Sequence, residues 1–289
     1  MTSAPSLNRS RRREVAEETL AALKQGSYLT YNISSQVAFS KDNTQYYPPD
    51  GELSNWPHAT LYHSPQPTKI QLLEKSTLEG AHLLHELVAS EVPQPRVGIL
   101  NFASAKNPGG GFLGGSRAQE ESIARSSSLY LSLTTPIAEP YYKNHKCNPH
   151  GGYYSHAMIY SPRVIIIRDD EGGWIEPLEV DVVTSPAVNA GVVRKSTKVT
   201  SEAIEDTMRE RMGRLLYLFE RNGIRNIVLG SFGTGAFRNE VGMVVRIWSD
   251  LILEEAGRYH RAFDNIVFAV LGHETFEKFR EVFADKGVS

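Results

Sequence analysis

Residues 97–121 decide the fold class of this chain: 97–102 read VGILNF, 107–116 read NPGGGFLGGS and 119–121 read QEE. The first segment is short and mostly apolar, which is typical of a buried strand. A glycine-rich loop follows it, and the acidic pair of the third segment falls near the start of a predicted helix. A strand that passes through a loop into a helix is typical of α/β proteins, whose ligands bind outside the carboxyl ends of the strands.

Strands and helices alternate through most of the remaining sequence. Residues 27–66 are predicted to be irregular, with 46–51 (YYPPDG) forming turns rather than a strand or a helix. The alternation predicts an α/β fold with a largely parallel or mixed sheet. The predicted strands are 69–74, 97–102, 164–168, 180–184, 226–229 and 265–271, and the predicted helices are 9–24, 76–90, 204–219, 241–252 and 274–284.

Composition limits the classes of function. The chain has 289 residues, is 40% hydrophobic and carries a formal net charge of −2, which indicates a globular protein that does not hold nucleic acid by bulk electrostatics. Its single cysteine, Cys147, excludes an internal disulfide and a cysteine-based zinc site. We expect an intracellular protein, cytoplasmic or nuclear, without membrane association, because there is no apolar run of spanning length and no secretory signal.

The first predicted helix carries a basic cluster, Arg11, Arg12 and Arg13. It could act as a nuclear import signal or as a phosphate-binding patch. We favour a third interpretation, in which these arginines are the solvent-exposed start of a surface helix.

The loop after the strand at 97–102 has five glycines within residues 109–115. Glycine removes the Cβ barrier to positive φ and lets backbone amides approach a ligand closely. A floppy surface loop is the alternative, which the embedded Phe112 and Leu113 disfavour. Ser116 and Gln119 have the spacing of a capping box, which predicts that a helix begins at this point.

Glu120 and Glu121 therefore fall in or just after the first turn of that helix. Acidic residues there also complement the helix dipole without any catalytic role. Adjacent helical positions point about 100° apart, so the two carboxylates do not face one point. This disfavours the opposed carboxylate pair that flanks the bond in most glycosidases. A catalytic carboxylate in this position must act almost alone.

A second glycine-rich loop, residues 230–239 (GSFGTGAFRN), joins the strand at 226–229 to the helix at 241–252. This arrangement presents free backbone N–H groups to phosphate. The loop matches neither a Walker A motif nor a dinucleotide fingerprint, because it lacks the lysine of the first and the third glycine of the second. On composition alone, phosphate binding and a plain tight turn are equally well supported.

Taken together, these stretches resemble the poly(ADP-ribose) glycohydrolases. The GGG at 109–111, followed after seven residues by the QEE at 119–121, resembles the GGG-x(6–8)-QEE signature of the family, and the likeness is greatest to the compact bacterial and fungal type. Thr234 is a departure, since many relatives carry cysteine there. The resemblance covers nearly the whole chain and continues in the expected order through residues 124–130, 158–162, 168–170, 185–189 and 230–239.

The resemblance implies a macrodomain-like mixed sheet sandwiched by helices, with an N-terminal extension of helical and irregular structure. We expect residues 69–289 to form the macrodomain-like catalytic domain. Residues 1–68 are expected to form the extension, packed on that core.

It also implies roles for the residues of the first loop. Glu121 is expected to protonate the departing ribose oxygen and then, as a carboxylate, to activate the attacking water. Glu120 and Asn107 are expected to hold the hydroxyls of the reacting ribose. The remaining expected contacts with substrate in this region are Gly109, Gly110, Gly111 and Gln119.

In the second loop, residues 233–237 resemble the diphosphate-binding loop of the family. Phe237 is the expected aromatic contact with the distal ribose. The other expected contacts with the diphosphate are Gly233, Thr234, Gly235 and Ala236.

These assignments imply hydrolysis of the ribose–ribose bonds in poly(ADP-ribose), exo-acting and releasing ADP-ribose, as part of the reversal of ADP-ribosylation in the DNA damage response. The expected partners are poly(ADP-ribose) or ADP-ribosylated proteins, and no metal or other cofactor is required. Two alternatives remain: a hydrolase of mono-ADP-ribosyl groups or O-acetyl-ADP-ribose, and a non-catalytic ADP-ribose reader. A reader has no need of Glu121.

Overall fold

The computed structural model describes residues 7–90, 95–195 and 200–287. The helices are α1 (Arg9–Gln25), α2 (Ser34–Asp42), α3 (Thr77–Ala89), α4 (Gln119–Ser126), α5 (Leu129–Leu133), α6 (Glu139–Cys147), α7 (Ala190–Val193), α8 (Ser201–Arg221), α9 (Val241–Trp248) and α10 (His273–Ala284). The strands are β1 (Ser27–Tyr28), β2 (Tyr31–Asn32), β3 (Gln45–Tyr47), β4 (Lys69–Leu73), β5 (Val97–Phe102), β6 (Met158–Arg168), β7 (Trp174–Ser185), β8 (Asn226–Leu229) and β9 (Asn265–Ala269).

One mixed sheet forms the centre of the molecule, with the strand order β3-β6-β7-β5-β8-β9-β4. Strands β7, β5, β8, β9 and β4 run parallel to one another, β6 runs antiparallel to β7, and β3 runs antiparallel to β6. Strands β1 and β2 form a separate short antiparallel pair. The mixed α/β sheet predicted from the sequence is confirmed.

Alternate residues of the central strands enter two hydrophobic cores on opposite faces of the sheet. Ile227 and Leu229 of β8 pack in a core with helices α8, α9 and α10. Val228, between them, packs on the other face with α3, α5 and α6. Successive strand side chains point to opposite faces, so the sheet is sandwiched by helices, as expected.

Local capping signals place the ends of two helices. The Asn8 side chain accepts a hydrogen bond from the Arg11 amide at the start of α1, and Gly26 ends that helix with a left-handed φ of 77°. Helix α3 begins at a capping box in which Ser76 accepts from the Glu79 amide and the Glu79 side chain accepts from the Ser76 amide. Both arrangements satisfy amide groups that a helix leaves unpaired at its ends.

The prediction that residues 27–66 are irregular is wrong. Helix α2 lies in this stretch, and Tyr46 and Tyr47, expected in a turn, belong to β3. Strand β3 pairs with β6 at the edge of the sheet, with Tyr47 opposite Met158. Three residues are too few for a period of two to be recognised, and the turn residues that follow dominate the local sequence.

The predicted division at residue 68 stays a prediction. Helix α1, from the predicted extension, packs on α4 through a small core of Ala16, Phe112 and Ala124. Residues 1–6 of the extension lie outside the described residues. Within the described ranges, no helix combines the length and the apolar character needed to cross a membrane.

Candidate active site

The loops that follow β7, β5 and β8 meet at one edge of the sheet, because these three strands are adjacent and parallel. The Ala103 amide, just after β5, donates to the Ser185 carbonyl at the end of β7 at 3.0 Å. The rings of Phe102 and Phe232 lie 5.7 Å apart, which joins β5 to the loop after β8. The carboxyl ends of the strands therefore bring together the two glycine-rich loops found in the sequence.

In the first loop, Gly109 and Gly110 have left-handed φ values of 66° and 60°. A Cβ on Gly110 would overlap Oε1 of Glu121 and lie 3.0 Å from Oε2 of Glu120. Glycine is thus required here twice, by the backbone conformation and by the close approach of two carboxylates. The loop packs its backbone directly against the acidic pair.

Glu121 lies in the first turn of α4 and is partly exposed. Its Oε1 accepts a hydrogen bond from the Gly111 amide at 3.0 Å. The loop amide therefore holds this carboxylate toward the solvent side of the strand ends, where a ligand can reach it.

Glu120 lies in a different environment, with a side chain that is almost completely buried. Its Oε2 accepts from the Ser104 amide at 2.6 Å, and its Oε1 accepts from Asn101 Nδ2 at 3.4 Å. Burial raises the pKa of Glu120 to about 8, the negative charge of Glu121 adds to this effect, and the two hydrogen bonds oppose it. At neutral pH the carboxyl group is largely protonated.

The predicted capping box of Ser116 and Gln119 is wrong. Helix α4 begins at Gln119, and its N-cap residue, Ala118, makes no side-chain capping bond. Instead Gln119 Oε1 accepts from the Phe102 amide at 2.8 Å and Nε2 donates to the Leu100 carbonyl at 2.6 Å.

The reason lies in the sheet. The pairing of β5 with β8 ends at Ile99, and a strand that leaves its neighbour needs other partners for its buried amide and carbonyl groups. The side-chain amide of Gln119 takes the place of a peptide group of the neighbouring strand. It ties the start of α4, and with it the acidic pair, to the end of β5.

Asn107 lies at the tip of the first loop with an exposed side chain. Its amide donates to Ser104 Oγ at 3.1 Å, and its carbonyl accepts from the Gly110 amide at 2.9 Å. The backbone of Asn107 therefore shapes the turn that carries the glycines, and its side chain is free to contact a ligand.

The second loop is fastened to the end of β7. Gly233 has a left-handed φ of 75°, and a Cβ there would overlap the Cβ of Ala187. Asn239, which is buried, donates to the Val188 carbonyl at 2.7 Å and to the Gly233 carbonyl at 3.0 Å. These contacts hold the loop in one conformation.

Beyond Gly233 the loop presents unpaired amide groups. The backbone N–H groups of Gly235, Ala236 and Phe237 donate no hydrogen bond within the described residues, and a Cβ on Gly235 would meet open space. The hydroxyl of Thr234 donates to the Ser231 carbonyl at 2.9 Å, so that side chain stabilises the turn. Successive free amides of this kind attract anions.

Several residues that shape the site were missed by the sequence analysis. Tyr154, with a φ of 58°, places its ring 5.9 Å from Phe237. Arg211 of α8 is fully buried and donates to the carbonyls of Pro186 and Tyr153 at 3.0 and 2.9 Å. The available signal for Arg211 was its position in the sequence. It is a charged residue three positions after Met208, on the apolar face of a predicted helix.

The arrangement combines one partly exposed carboxylate, one buried and protonated carboxyl group, and a run of free amides on a neighbouring loop. These are the elements of proton transfer to a bound anionic ligand. Within the described parts of the chain, no three His, Cys, Asp or Glu side chains converge on a point where a metal ion could bind.

The family model and the similar solved structures agree with each other. The family model "Microbial-type PARG, catalytic domain", where PARG stands for poly(ADP-ribose) glycohydrolase, matches residues 16–169. The crystal structure of poly(ADP-ribose) glycohydrolase from Thermomonospora curvata is 34% identical, over 94% of this chain and 99% of that chain, with a TM-score of 0.85. No curated protein sequence matches the chain significantly.

Two ligand complexes are similar to this chain as well. The T. curvata enzyme bound to the inhibitor ADP-HPD is 33% identical, over 95% of this chain and 100% of that one, with a TM-score of 0.84. Poly(ADP-ribose) glycohydrolase from Deinococcus radiodurans in complex with ADP-ribose is 35% identical, over 86% of this chain and 97% of that one, with a TM-score of 0.76.

Proposed function

This chain belongs to the microbial-type poly(ADP-ribose) glycohydrolase family, and we propose that Glu121 is the acid and base of its reaction. The enzyme is a glycosidase that hydrolyses poly(ADP-ribose). The observation that carries the assignment to Glu121 is its position: this carboxylate accepts from the Gly111 amide and is partly exposed, whereas Glu120 beside it is buried.

The reaction begins with Glu121 in its protonated form. It donates its proton to the ribose oxygen of the leaving group as the ribose–ribose bond breaks, and the bonding electron pair goes to that oxygen. The distal ADP-ribose is left with an oxocarbenium ion. Glu121, now a carboxylate, takes a proton from a water molecule whose oxygen attacks the cation, which restores the protonated acid. One carboxyl group thus serves both steps.

Glu120 has a positioning role in this scheme. Its bonds to Ser104 and Asn101 lock the side chain at the end of β5, and its proton allows it to donate to a ribose hydroxyl. Together with the exposed side chain of Asn107, it orients the reacting ribose against Glu121. Orientation of this kind lowers the barrier by reducing the entropy that is lost on reaching the transition state.

The diphosphate of the terminal ADP-ribose binds at residues 233–237 in this proposal. The free amides of Gly235, Ala236 and Phe237 support it, and so do the ADP-ribose and ADP-HPD complexes of the related enzymes. Anchoring the diphosphate supplies binding energy away from the scissile bond. Its negative charge also stabilises the cation that develops on the ribose.

The family resemblance further supports an exo-acting enzyme that releases ADP-ribose from the chain end, and the single cysteine supports a reducing, intracellular compartment. The test is incubation of the purified protein with poly(ADP-ribose) and, separately, with a mono-ADP-ribosylated protein, with the products separated by chromatography. ADP-ribose from polymer alone, without intermediate oligomers, is the expected result. Oligomers would contradict the exo assignment, and ADP-ribose from the mono-modified protein would indicate a broader substrate class.

A further inference from the structure

Five arginines surround the turn that follows the glycines of the first loop. Arg9 Nε donates to the Gly114 carbonyl at 2.9 Å, and Arg12 Nε donates to the Gly115 carbonyl at 2.8 Å. Arg125 lies beneath the turn and donates to the Ser116 carbonyl at 3.4 Å. Arg13, whose Cγ would lie 3.0 Å from a Cβ on Gly115, and Arg117, which directly follows Ser116 in the chain, are both exposed. These five residues form the arginine cluster: Arg9, Arg12, Arg13, Arg117 and Arg125.

The arginine cluster lies near acidic side chains of the described residues without forming ion pairs with them. None of its members forms an ion pair with a carboxylate among the described residues, whereas Arg11, on the same helical turn, pairs with Glu14 at 3.2 Å and Glu18 at 2.9 Å. Arg125 is buried, and burial and the charge of Arg12 lower its pKa, while the charges of Asp170 and Glu121 raise it. Unpaired cations close together favour the binding of an anion.

The arginine cluster lies next to Glu121. The Gly111 amide donates to Glu121, and the Gly111 backbone packs on Ser116, since a Cβ on Gly111 would lie 2.5 Å from Ser116 Oγ. The Ser116 carbonyl in turn accepts from Arg125. One short chain of contacts therefore joins the proposed acid to the cluster.

A different chain of contacts joins the acidic pair to the diphosphate loop. Glu120 accepts from the Ser104 amide, two residues after the end of β5, and Phe102 of β5 packs on Phe232 of that loop. Two surfaces suited to an anion therefore lie near Glu121, and different contacts join each of them to the acidic pair.

We propose that the arginine cluster binds the diphosphate of the penultimate ADP-ribose unit, the one that leaves with the ribose oxygen. This inference rests on the proposed function, which places the terminal diphosphate at residues 233–237. A polymer of ADP-ribose repeats one diphosphate in every unit, so the next anion follows on the far side of the bond. Guanidinium groups match phosphate oxygens in charge and in planar hydrogen-bond geometry.

Two members of the arginine cluster serve two purposes. Arg9 and Arg12 use Nε to hold the carbonyls of Gly114 and Gly115. Nη1 of Arg12 also donates to the Leu7 carbonyl, and the remaining terminal N–H groups of the two arginines are left for phosphate. Binding of the polymer would therefore stabilise the turn that supports Glu121, and polymer would be preferred over free ADP-ribose.

The test uses Arg13 and Arg117, whose side chains are exposed and form no hydrogen bond or ion pair among the described residues. In the double variant Arg13→Gln/Arg117→Gln we expect the KM for poly(ADP-ribose) to rise about tenfold and its salt dependence to weaken, with little change in kcat. Binding of ADP-ribose itself, measured by calorimetry, should be unchanged. The matched control, Arg11→Gln/Arg280→Gln, removes two arginines that already pair with glutamates and should leave KM unchanged.

An unchanged KM in the double variant, with a melting curve like that of the parent, would overturn the inference. So would single-stranded RNA of equal charge that binds as tightly as the polymer and loses affinity equally in the variant, since the surface would then recognise polyanions in general. In both cases the parental enzyme still hydrolyses the polymer, and the proposed function stands. Each single variant is assayed as well, so that the result does not depend on the double variant folding.

Discussion

Glu120 and Glu121 are consecutive residues, yet the first carboxyl group is buried at the end of β5 and the second is partly exposed and accepts from the Gly111 amide at 3.0 Å. Adjacent positions on a helix point in different directions. At the first turn of α4, the Glu120 side chain points into the interior at the end of β5, and the Glu121 side chain faces the glycine loop. The same pair of residues thus provides a protonated positioning group and an accessible acid and base.

Replacing Glu121 should abolish turnover and spare binding. Glu121→Gln keeps the shape of the side chain and an acceptor for the Gly111 amide, but an amide does not give and recover a proton as a carboxyl group does. We expect polymer hydrolysis to fall by at least about 10²-fold, with ADP-ribose affinity retained by calorimetry. Glu139→Gln is the control, because Glu139 also lies in the first turn of a helix and is exposed. A parental rate in Glu121→Gln would contradict the mechanism.

The buried carboxyl of Glu120 should make stability depend on pH. Its pKa is raised from 4.5 to about 8 in the folded protein, so between these values the folded state holds a proton that the unfolded state has lost. The free energy of unfolding then falls as pH rises through this range, by on the order of 5 kcal/mol for this one group. The contribution is complete below pH 4.5 and is lost above pH 8.

Glu120→Gln removes this titration. The variant should therefore gain stability relative to the parent as pH rises from 5 to 8 on chemical denaturation, whatever its offset at pH 5. Parallel curves for the two proteins would show that Glu120 ionises without penalty in the folded state.

A methyl group on Gly110 should disturb the catalytic loop. In Gly110→Ala the new Cβ overlaps Oε1 of Glu121, and the alanine must adopt a φ of 60°. A left-handed φ costs about 1–2 kcal/mol for a residue other than glycine. We expect a lower melting temperature and hydrolysis reduced by at least about tenfold, because the carboxylate is displaced from its position. Gly114→Ala, where a Cβ meets open space, should behave as the parent. Equal activity of the two variants would mean that the loop tolerates movement of Glu121.

A side chain at residue 235 should obstruct the ligand and leave the protein intact. Gly235 does not have a left-handed φ, and a Cβ there contacts nothing, so Gly235→Val should melt as the parent does. ADP-ribose binding should weaken by at least about tenfold, or about 1.4 kcal/mol, because the valine blocks approach to the free amides. Gly233→Ala should instead destabilise the fold, since its Cβ overlaps Ala187. Unchanged affinity in Gly235→Val would remove this loop from the site.

Features that depend on neighbours in the sequence were predicted well. The helix predicted at 76–90 and the strands predicted at 97–102 and 226–229 are present in the structure, because they follow from local hydrogen bonding and local apolar patterns. The need for glycine in the first loop was also predicted from the local sequence. The spacing of GGG and QEE is also a local feature, because a fixed number of residues separates the loop from the first turn of α4.

Other features were decided by contacts between residues far apart in the chain. Gln119 has the spacing of a capping residue, but the unpaired groups of β5, 17 and 19 residues earlier, hold its side chain. Strand β3 exists because β6, more than 100 residues later, offers it an edge. The pKa of Glu120 depends on burial under the sheet and on Asn101. A local pattern carries no record of these partners, because they meet only when the strands are ordered into the sheet.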